Sequence, residues 1–389
     1  MKKKIIILGS TGSVGTETLK SIKNKNFCIS LLTANQNVNK ILKQAILFKV
    51  PDVIIEDKIK YQKYIDIFKA NKIKLHLGIK NIRKILKKRV NYCVNSITGI
   101  EGLAPTLDTI PFAENILIAN KESIICGWHL INQKLKKHQT KFIPLDSEHF
   151  SIWKLINNEN FNEVQKIILT ASGGPFLNLS KKRLANVHPN KATLHPNWKM
   201  GKKISVDSSN MMNKIFEYIE AKKIFNLRND NLSILIHPTS YIHAIIVFKG
   251  QLIKYLAHET KMTIPISNAL GISNKKINNL DKYLVLKLNK CKFMIPNKSN
   301  FPILSIINFI PEKSSYFETI LISLNDSLVQ NYLKGRINYL SIQRNLINII
   351  KKPYFTKYYK LKPKNIYDIK NMIRITKNYI SKNIKYYEK

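Results

Sequence analysis

Apolar residues follow two regimes along the chain. Up to about residue 145, short β-rich apolar runs at 5–8, 27–33, 53–55, 74–77, 92–95, 116–119 and 142–145 alternate with amphipathic stretches. After Asn37, for example, Val38, Ile41, Leu42, Ala45 and Ile46 recur at helical spacing. This alternation predicts a doubly wound parallel sheet, a Rossmann-like domain over 1–145. Beyond it the pattern changes. A strand at 164–170, a helix capped by Asp207 or Ser208 and running to about Phe225, and strands at 234–237 and 244–248 predict an α+β domain over 146–272. Residues 273–301, rich in Asn, Lys and Pro, read as a linker. Helical periodicity then returns with Ile320, Leu321, Leu324, Leu328 and Val329, with Ile342, Leu346 and Ile349, and with Ile366, Ile369, Ile373 and Tyr379. A small helical domain over 302–389 is expected. The fold class is thus α/β: a Rossmann-like sheet, a central α+β domain and a helical tail.

Composition supports a folded chain, with 44% hydrophobic and 23% charged residues among 389. Charge raises a second question, because 65 Lys and Arg face 24 Asp and Glu, a formal excess of +41. So basic a chain brings nucleic acid into view. The lysines are nevertheless scattered from Lys2 to Lys389, with no basic block and no aromatic–Arg interleaving, so they read as solvated faces and no specific nucleic-acid partner is expected. Cys28, Cys93, Cys126 and Cys291 form no C-x-x-C pair and read as reduced, buried thiols. Lys2-Lys3-Lys4 before Ile5–Leu8 imitates a signal peptide, but Gly9 ends the apolar run too early. No run approaches the roughly 18 residues of a membrane span. A cytoplasmic protein without a membrane partner is expected.

Five motifs carry candidate chemistry. Gly9-Ser10-Thr11-Gly12-Ser13-Val14-Gly15 joins the first strand to the first helix. Glycines there permit a tight turn and close approach of backbone N–H groups to a pyrophosphate, although a plain structural turn has the same look. The second strand ends in Asn35-Gln36-Asn37 without the acid that would take a ribose 2′-hydroxyl, which favours NADPH; Lys40 is the nearest cation in sequence. Asp146-Ser147-Glu148-His149 ends the seventh strand, and carboxylates at i and i+2 of an extended segment share a side, as two hard ligands for Mg²⁺ or Mn²⁺. Solvated loop acids are the plainer reading of that motif.

In the segment from Asp207 to Glu217, Asn213 and Lys214 share a helical face with Glu217, and Ser208 falls in the expected first turn, where the helix dipole favours phosphate. By spacing alone, a capped helix with a surface Lys–Glu pair is the simpler account. Ser172-Gly173-Gly174-Pro175 is a possible anion nest. His195-Pro196-Asn197-Trp198, with Met200-Gly201, reads as a lid loop or as ordinary packing.

Taken in this order, and with Ala119-Asn120-Lys121-Glu122-Ser123, the motifs closely resemble the 1-deoxy-D-xylulose 5-phosphate reductoisomerase family. The likeness is dense to about residue 243 and thin afterwards. It implies a homodimer that rearranges and reduces 1-deoxy-D-xylulose 5-phosphate to 2-C-methyl-D-erythritol 4-phosphate, in the non-mevalonate route to isoprenoid precursors. It also implies NADPH and a divalent cation, Mn²⁺, Mg²⁺ or Co²⁺. Residue by residue, it implies that Asp146, Glu148 and Glu217 hold the metal, and that Lys121, Ser147, Glu148 and Asn213 orient the substrate's oxygens. Ser172, His195, Ser208, Asn213 and Lys214 would take its phosphate, under Trp198. Thr11, Gly12, Ser13, Val14, Asn35, Gln36, Asn37, Asn120, Glu122 and Gly201 would contact NADPH. Where the family carries Gly-Lys-Asn after the second strand, this chain has Asn35-Gln36-Asn37; where it carries Leu-Asn-Ala-Ala-Asn-Glu, this chain has Leu324-Asn325-Asp326-Ser327-Leu328-Val329. Two other readings stay open: a metal-independent dehydrogenase of another sugar phosphate, and a non-enzymatic basic protein whose nucleic-acid binding would be steeply salt-dependent.

Overall fold

The computed structural model describes residues 2–198, 200–272 and 279–384. The chain forms two compact units, Met1–Trp153 with Lys261–Lys276, and Lys154–Thr260 with Ile277–Lys389.

The first unit is built on seven strands: β1 (Lys3–Leu8), β2 (Phe27–Ala34), β3 (Asp52–Ile55), β4 (Lys74–Leu77), β5 (Val90–Asn95), β6 (Ala113–Ile118) and β7 (Lys141–Pro144). All pair in parallel in the order β4-β3-β2-β1-β5-β6-β7. Each expected strand is present, displaced by a few residues at most. Ile5, Ile6, Ile7 and Leu8 are fully buried, so both faces of the central strand are covered by helices. The chain winds outward from β1 to β4 and returns to β5 on the other side of β1. That reversal opens a crevice at the carboxyl ends of β1 and β5, where open α/β sheets bind ligands. The helices that follow β1, β2 and β3 are α1 (Ser13–Ile22), α2 (Val38–Phe48) and α3 (Lys58–Ala70).

The helix Thr263–Ala269 belongs to this unit, although the sequence pattern assigned it to the middle domain. Its Ile266 and the adjoining Leu270 are fully buried in the same core as Ile5, Leu19 and Ile22. Each such side chain contributes about 1.5–3 kcal/mol by leaving water. Apolar matching, rather than chain order, decides where the segment sits.

The second unit holds a sheet of β8 (Val164–Ala171), β9 (Leu232–Ile236), β10 (Ile242–Phe248) and β11 (Ile253–Ala257) in the order β11-β10-β8-β9. Strand β11, which the sequence pattern did not single out, pairs antiparallel with β10 after a tight turn through Gly250 at φ +77°. The helices Phe317–Leu333, Tyr339–Ile350 and Ile366–Asn383 complete this unit, with Phe317, Ile320, Leu321, Leu324, Leu328, Leu346 and Ile369 fully buried. They do not stand apart as a separate domain. Asn325 Nδ2 donates to Asp207 Oδ1 at 2.7 Å, and Lys223 pairs with Glu318 at 2.6 Å, both within this unit.

Four expectations are corrected. The helix expected to start at Asp207 or Ser208 is two helices, Lys202–Ser209 and Met212–Ile224, separated at Asn210 and Met211. Met211 takes φ +69° while almost fully buried, a left-handed conformation that interrupts α-helix geometry. Asp207 and Ser208 therefore close a helix instead of capping one. The stretch read as a linker contains the helix Leu280–Leu288, while 273–278 lie outside the described residues. Residues 147 and 148 are helical rather than extended, in Ser147–Ile156. Of the cysteines, Cys93 and Cys126 are buried, but Cys28 is exposed and Cys291 half-buried.

Candidate active site

In the first unit, the turn after β1 is shaped by its glycines. Gly9 has φ +76°, and a Cβ on Gly15 would lie 2.5 Å from the Gly9 carbonyl oxygen. Helix and turn thus meet at a distance only a hydrogen side chain allows. Gly12 precedes the first turn of α1 with no side-chain cap, so Ser13, Val14 and their neighbours present backbone N–H groups at a helix N-terminus. Thr33 Oγ1 accepts from Gly9 N at 2.9 Å, and the buried Ser10 hydroxyl donates to Gln44 Oε1 at 2.8 Å. Thr11 carries its carbonyl outward to Lys40 Nζ at 2.8 Å. Asn35, Gln36 and Asn37 follow β2 as exposed residues, with Asn37 capping α2 through Lys40 N.

The loop after β5 forms the opposite wall, and sequence reading did not single it out. Ser96 Oγ donates to Leu8 O and Gly9 O at 2.7 and 3.0 Å. The Asn120 amide reaches the same loop at Ile97 O and at Gly99 O, while its Oδ1 accepts from Ser123 N and caps the helix Lys121–His138. Strand pairing between β1 and β5 brings 96–99 beside the Gly9 turn, and no local sequence signal reveals that pairing. Glu122 stands half-buried in the first turn of the same helix.

Asp146 caps the helix that begins at Ser147, its Oδ1 accepting from Glu148 N at 3.2 Å. Lys121 Nζ donates to Asp146 Oδ2, and His149 Nδ1 lies 2.9 Å from Asp146 Oδ1. Burial alone would raise the Asp146 pKa, but the charges and hydrogen bonds of Lys121 and His149 hold it well below the usual carboxylate range. Asp146 is therefore ionised. The Ser147 hydroxyl donates to Glu148 Oε2. Two carboxylates on one helix start, with an ammonium beside them, offer the hard oxygen ligands that could hold a divalent cation.

In the second unit, β8 runs into Ser172 and a double glycine turn. Gly173 and Gly174 have φ +80° and +70°, and a Cβ on Gly174 would lie 2.7 Å from Ser209 Cα. This close approach sets Ser172 against the end of the helix Lys202–Ser209, where half-buried Ser208 stands. His195 Nε2 is 3.1 Å from Ser172 Oγ. Its Nδ1 accepts from Asn197 N at 3.1 Å and Trp198 N at 3.0 Å. Two amide donors on Nδ1 leave the proton on Nε2, so the ring donates to Ser172. Gly174 N also donates to Ser172 Oγ, so the serine hydroxyl accepts twice and keeps its own proton to donate. Burial and the charge of Lys214 lower the His195 pKa to about 4, which keeps the ring neutral.

Lys214 and Glu217 are paired and almost wholly buried, 4% and 2% exposed, which excludes a surface ion pair. Asn213 Nδ2 donates to Glu217 Oε1 at 2.5 Å, while its own Oδ1 is buried without a hydrogen-bond partner among the described residues. An orphaned amide oxygen beside a buried carboxylate suits a ligand hydroxyl. The loop carrying Trp198 is anchored: Asn197 Nδ2 donates to Pro238 O at 2.6 Å, and Trp198 meets His243 edge-on at 6.0 Å. Gly201 precedes the helix Lys202–Ser209 and is open on all sides. Hydroxyls, a neutral imidazole and an ammonium thus converge on the Ser172 turn, as phosphate recognition requires.

These features define a class, an α/β enzyme with a dinucleotide-type crevice and a carboxylate pair in one unit and a buried cluster of hydroxyls, imidazole, ammonium and carboxylate in the other. Comparison with known proteins sharpens it. Residues 5–127 match the family model for 1-deoxy-D-xylulose 5-phosphate reductoisomerase, and 142–225 and 258–379 match two models of that enzyme's C-terminal domains. The reductoisomerase of Pelagibacter ubique is 47% identical over 374 residues, 95% of this chain and 96% of the relative. That of Wolbachia pipientis wMel is 39% identical over 345 residues, covering 87% and 88%. The solved reductoisomerase of Zymomonas mobilis in complex with NADPH is similar at TM-score 0.88 and 26% identity, covering 98% of this chain and 99% of that one. A reductoisomerase solved with NADPH, fosmidomycin and magnesium is similar at TM-score 0.88 and 27% identity, covering 98% of each chain. The chain belongs to the 1-deoxy-D-xylulose 5-phosphate reductoisomerase family.

Proposed function

We propose that this chain converts 1-deoxy-D-xylulose 5-phosphate to 2-C-methyl-D-erythritol 4-phosphate with NADPH and a divalent cation, Mn²⁺, Mg²⁺ or Co²⁺. The observation that carries the reading is the buried Lys214–Glu217–Asn213 group beside the Ser172–His195 turn. So much charge withheld from water is costly to folding and is explained by a phosphorylated, hydroxyl-bearing substrate. Asp146, Glu148 and Glu217 would hold the cation, which supplies Lewis-acid polarisation of the substrate's carbonyl and hydroxyl oxygens, and NADPH supplies the hydride. Lys121 and Ser147 orient substrate oxygens next to the carboxylates they contact. Asn213 accepts a substrate hydroxyl at its open Oδ1. Lys214, Ser172, Ser208 and neutral His195 bind the phosphate, with His195 donating from Nε2, and Trp198 shields it from water. Backbone N–H groups of Thr11, Ser13 and Val14 receive the pyrophosphate, at the turn that Gly12 closes by donating its own N–H to Gly9 O. Asn35, Gln36, Asn37, Asn120, Glu122 and Gly201 line the rest of the cofactor's path.

The same reading assigns a cytoplasmic homodimer. Four free cysteines suit a reducing compartment, and among the described residues no helix is long and apolar enough to cross a membrane. Edge strand β11, with its turn, exposes Leu252, Ile253 and Tyr255 at 66%, 62% and 50%, an apolar edge that a second copy would cover. Mixing protein, substrate, Mn²⁺ and NADPH tests the activity. Substrate-dependent, chelator-sensitive oxidation of NADPH is expected; folded protein that oxidises neither NADPH nor NADH overturns it.

A further inference from the structure

The turn after β2, where an adenine ribose's 2′-position falls in this fold class, carries neither an acid nor a cation of its own. One lysine from another element reaches it, and a second, just after the turn, reaches the neighbouring Gly9 turn. Lys60, in the first turn of α3, donates through Nζ to Gln36 O at 2.8 Å. Lys40, in the first turn of α2, donates through Nζ to Thr11 O at 2.8 Å. One ammonium group thus stands on the Gln36 carbonyl of this turn and the other on the Thr11 carbonyl of the Gly9 turn. Pairing of β2 with β3, with Ala34 opposite Ile55, brings the start of α3 alongside the turn. Gln36, Asn37, Val38, Asn39, Lys60 and Tyr64 together line an open pocket there.

The nearby carboxylates are committed elsewhere. Asp57 caps α3 through Lys60 N at 2.9 Å, and Glu56 accepts from Ile79 N at 2.7 Å. Each lysine spends one of its three donors on a neutral carbonyl, the weaker kind of acceptor, so a dianionic phosphate would draw both into charge-assisted bonds. We propose that Lys60, assisted by Lys40, forms the cationic half of a 2′-phosphate subsite and sets the preference for NADPH over NADH, in place of the lysine that the turn itself lacks. This rests on the dinucleotide reading of the Gly9 turn.

The test is equilibrium binding, without substrate or turnover. NADPH and NADH are titrated into the full-length protein and into Lys60→Ala, Lys40→Ala and Lys60→Arg, with 2′-AMP and 5′-AMP as competitors. Wild type is expected to prefer NADPH and to be displaced better by 2′-AMP. Lys60→Ala is expected to lose about 10- to 100-fold in NADPH affinity, the worth of one charged hydrogen bond, with NADH affinity unchanged. Lys40→Ala loses less, and Lys60→Arg restores the preference. Equal weakening for both cofactors would make Lys60 a structural tether of the turn and overturn the inference. So would an NADPH preference that survives both alanine variants, or a wild type that binds both cofactors equally, although the dinucleotide site would then stand. A folded wild type that binds neither cofactor overturns the dinucleotide reading itself.

Discussion

Lys214 and Glu217 concentrate the cost of this site in two side chains. Lys214→Met leaves Glu217 buried without its cation and is expected to destabilise the fold by about 3–5 kcal/mol in denaturant titration, whereas Lys214→Arg keeps most of the stability. His195 is the second residue whose setting has a measurable consequence. Its folded pKa of about 4 lies below its ordinary 6.5, so the unfolded chain binds the proton first. Stability from the neutral ring is complete above pH 6.5 and is lost as pH falls towards 4. The variant His195→Asn should show a shallower pH dependence of stability across that window, by up to one proton. An unchanged slope would mean that the ring titrates normally. Both residues were legible as candidates in the sequence. Their burial was not, because Lys214-Ile215-Phe216-Glu217 has the spacing of any surface ion pair.

At the scale of elements, the turn between β1 and α1 is the most sharply determined piece. Gly15→Ala sets a methyl 2.5 Å from the Gly9 carbonyl, with backbone on both sides. Overpacking of this kind costs about 1–3 kcal/mol, and dinucleotide affinity should fall at least about 10-fold as the turn opens. Calorimetry of cofactor binding and thermal unfolding check the two effects separately. The break at Asn210 and Met211 shows the limit of periodicity. From its residues one helix reads as running from Asp207 or Ser208 to about Phe225, across the break, because a single left-handed residue leaves no mark on an apolar pattern. The consequence is chemical as well as geometric. Ser208 ends up against the Gly173-Gly174 turn instead of in the first turn of a helix, so the part proposed for it in phosphate binding would come from packing and not from a helix dipole.

For the whole molecule, metal and assembly are the quantities to measure. Chelation should abolish turnover and leave NADPH affinity intact, since the cofactor's contacts and the carboxylates are separate groups; parallel assay and cofactor titration decide this. Ile253→Lys on the exposed edge strand should shift the protein from dimer to monomer in light scattering, with little change in the fold, because Ile253 is 62% exposed within the chain. A monomeric wild type would remove the dimer from the proposal. The unusual charge, +41, acts at this scale too, favouring solubility and non-specific attraction to anions without altering the chemistry of the site.

The order of strands and helices in the first 145 residues, the Gly9–Gly15 turn and the site motifs were determined by the sequence itself, because period, glycine spacing and short polar motifs are local properties. Tertiary structure alone decided which segments share a unit. Ile266 and Leu270 return to the first sheet, Asn325 and Glu318 tie the last helices to Asp207 and Lys223, and the loop 96–99 faces the Gly9 turn through the β1–β5 pairing. It also decided which charges are buried and which neighbour compensates each. Burial and pairing depend on what lies across a sheet or a helix face, dozens of residues away in the chain, and the residue itself carries no record of that partner.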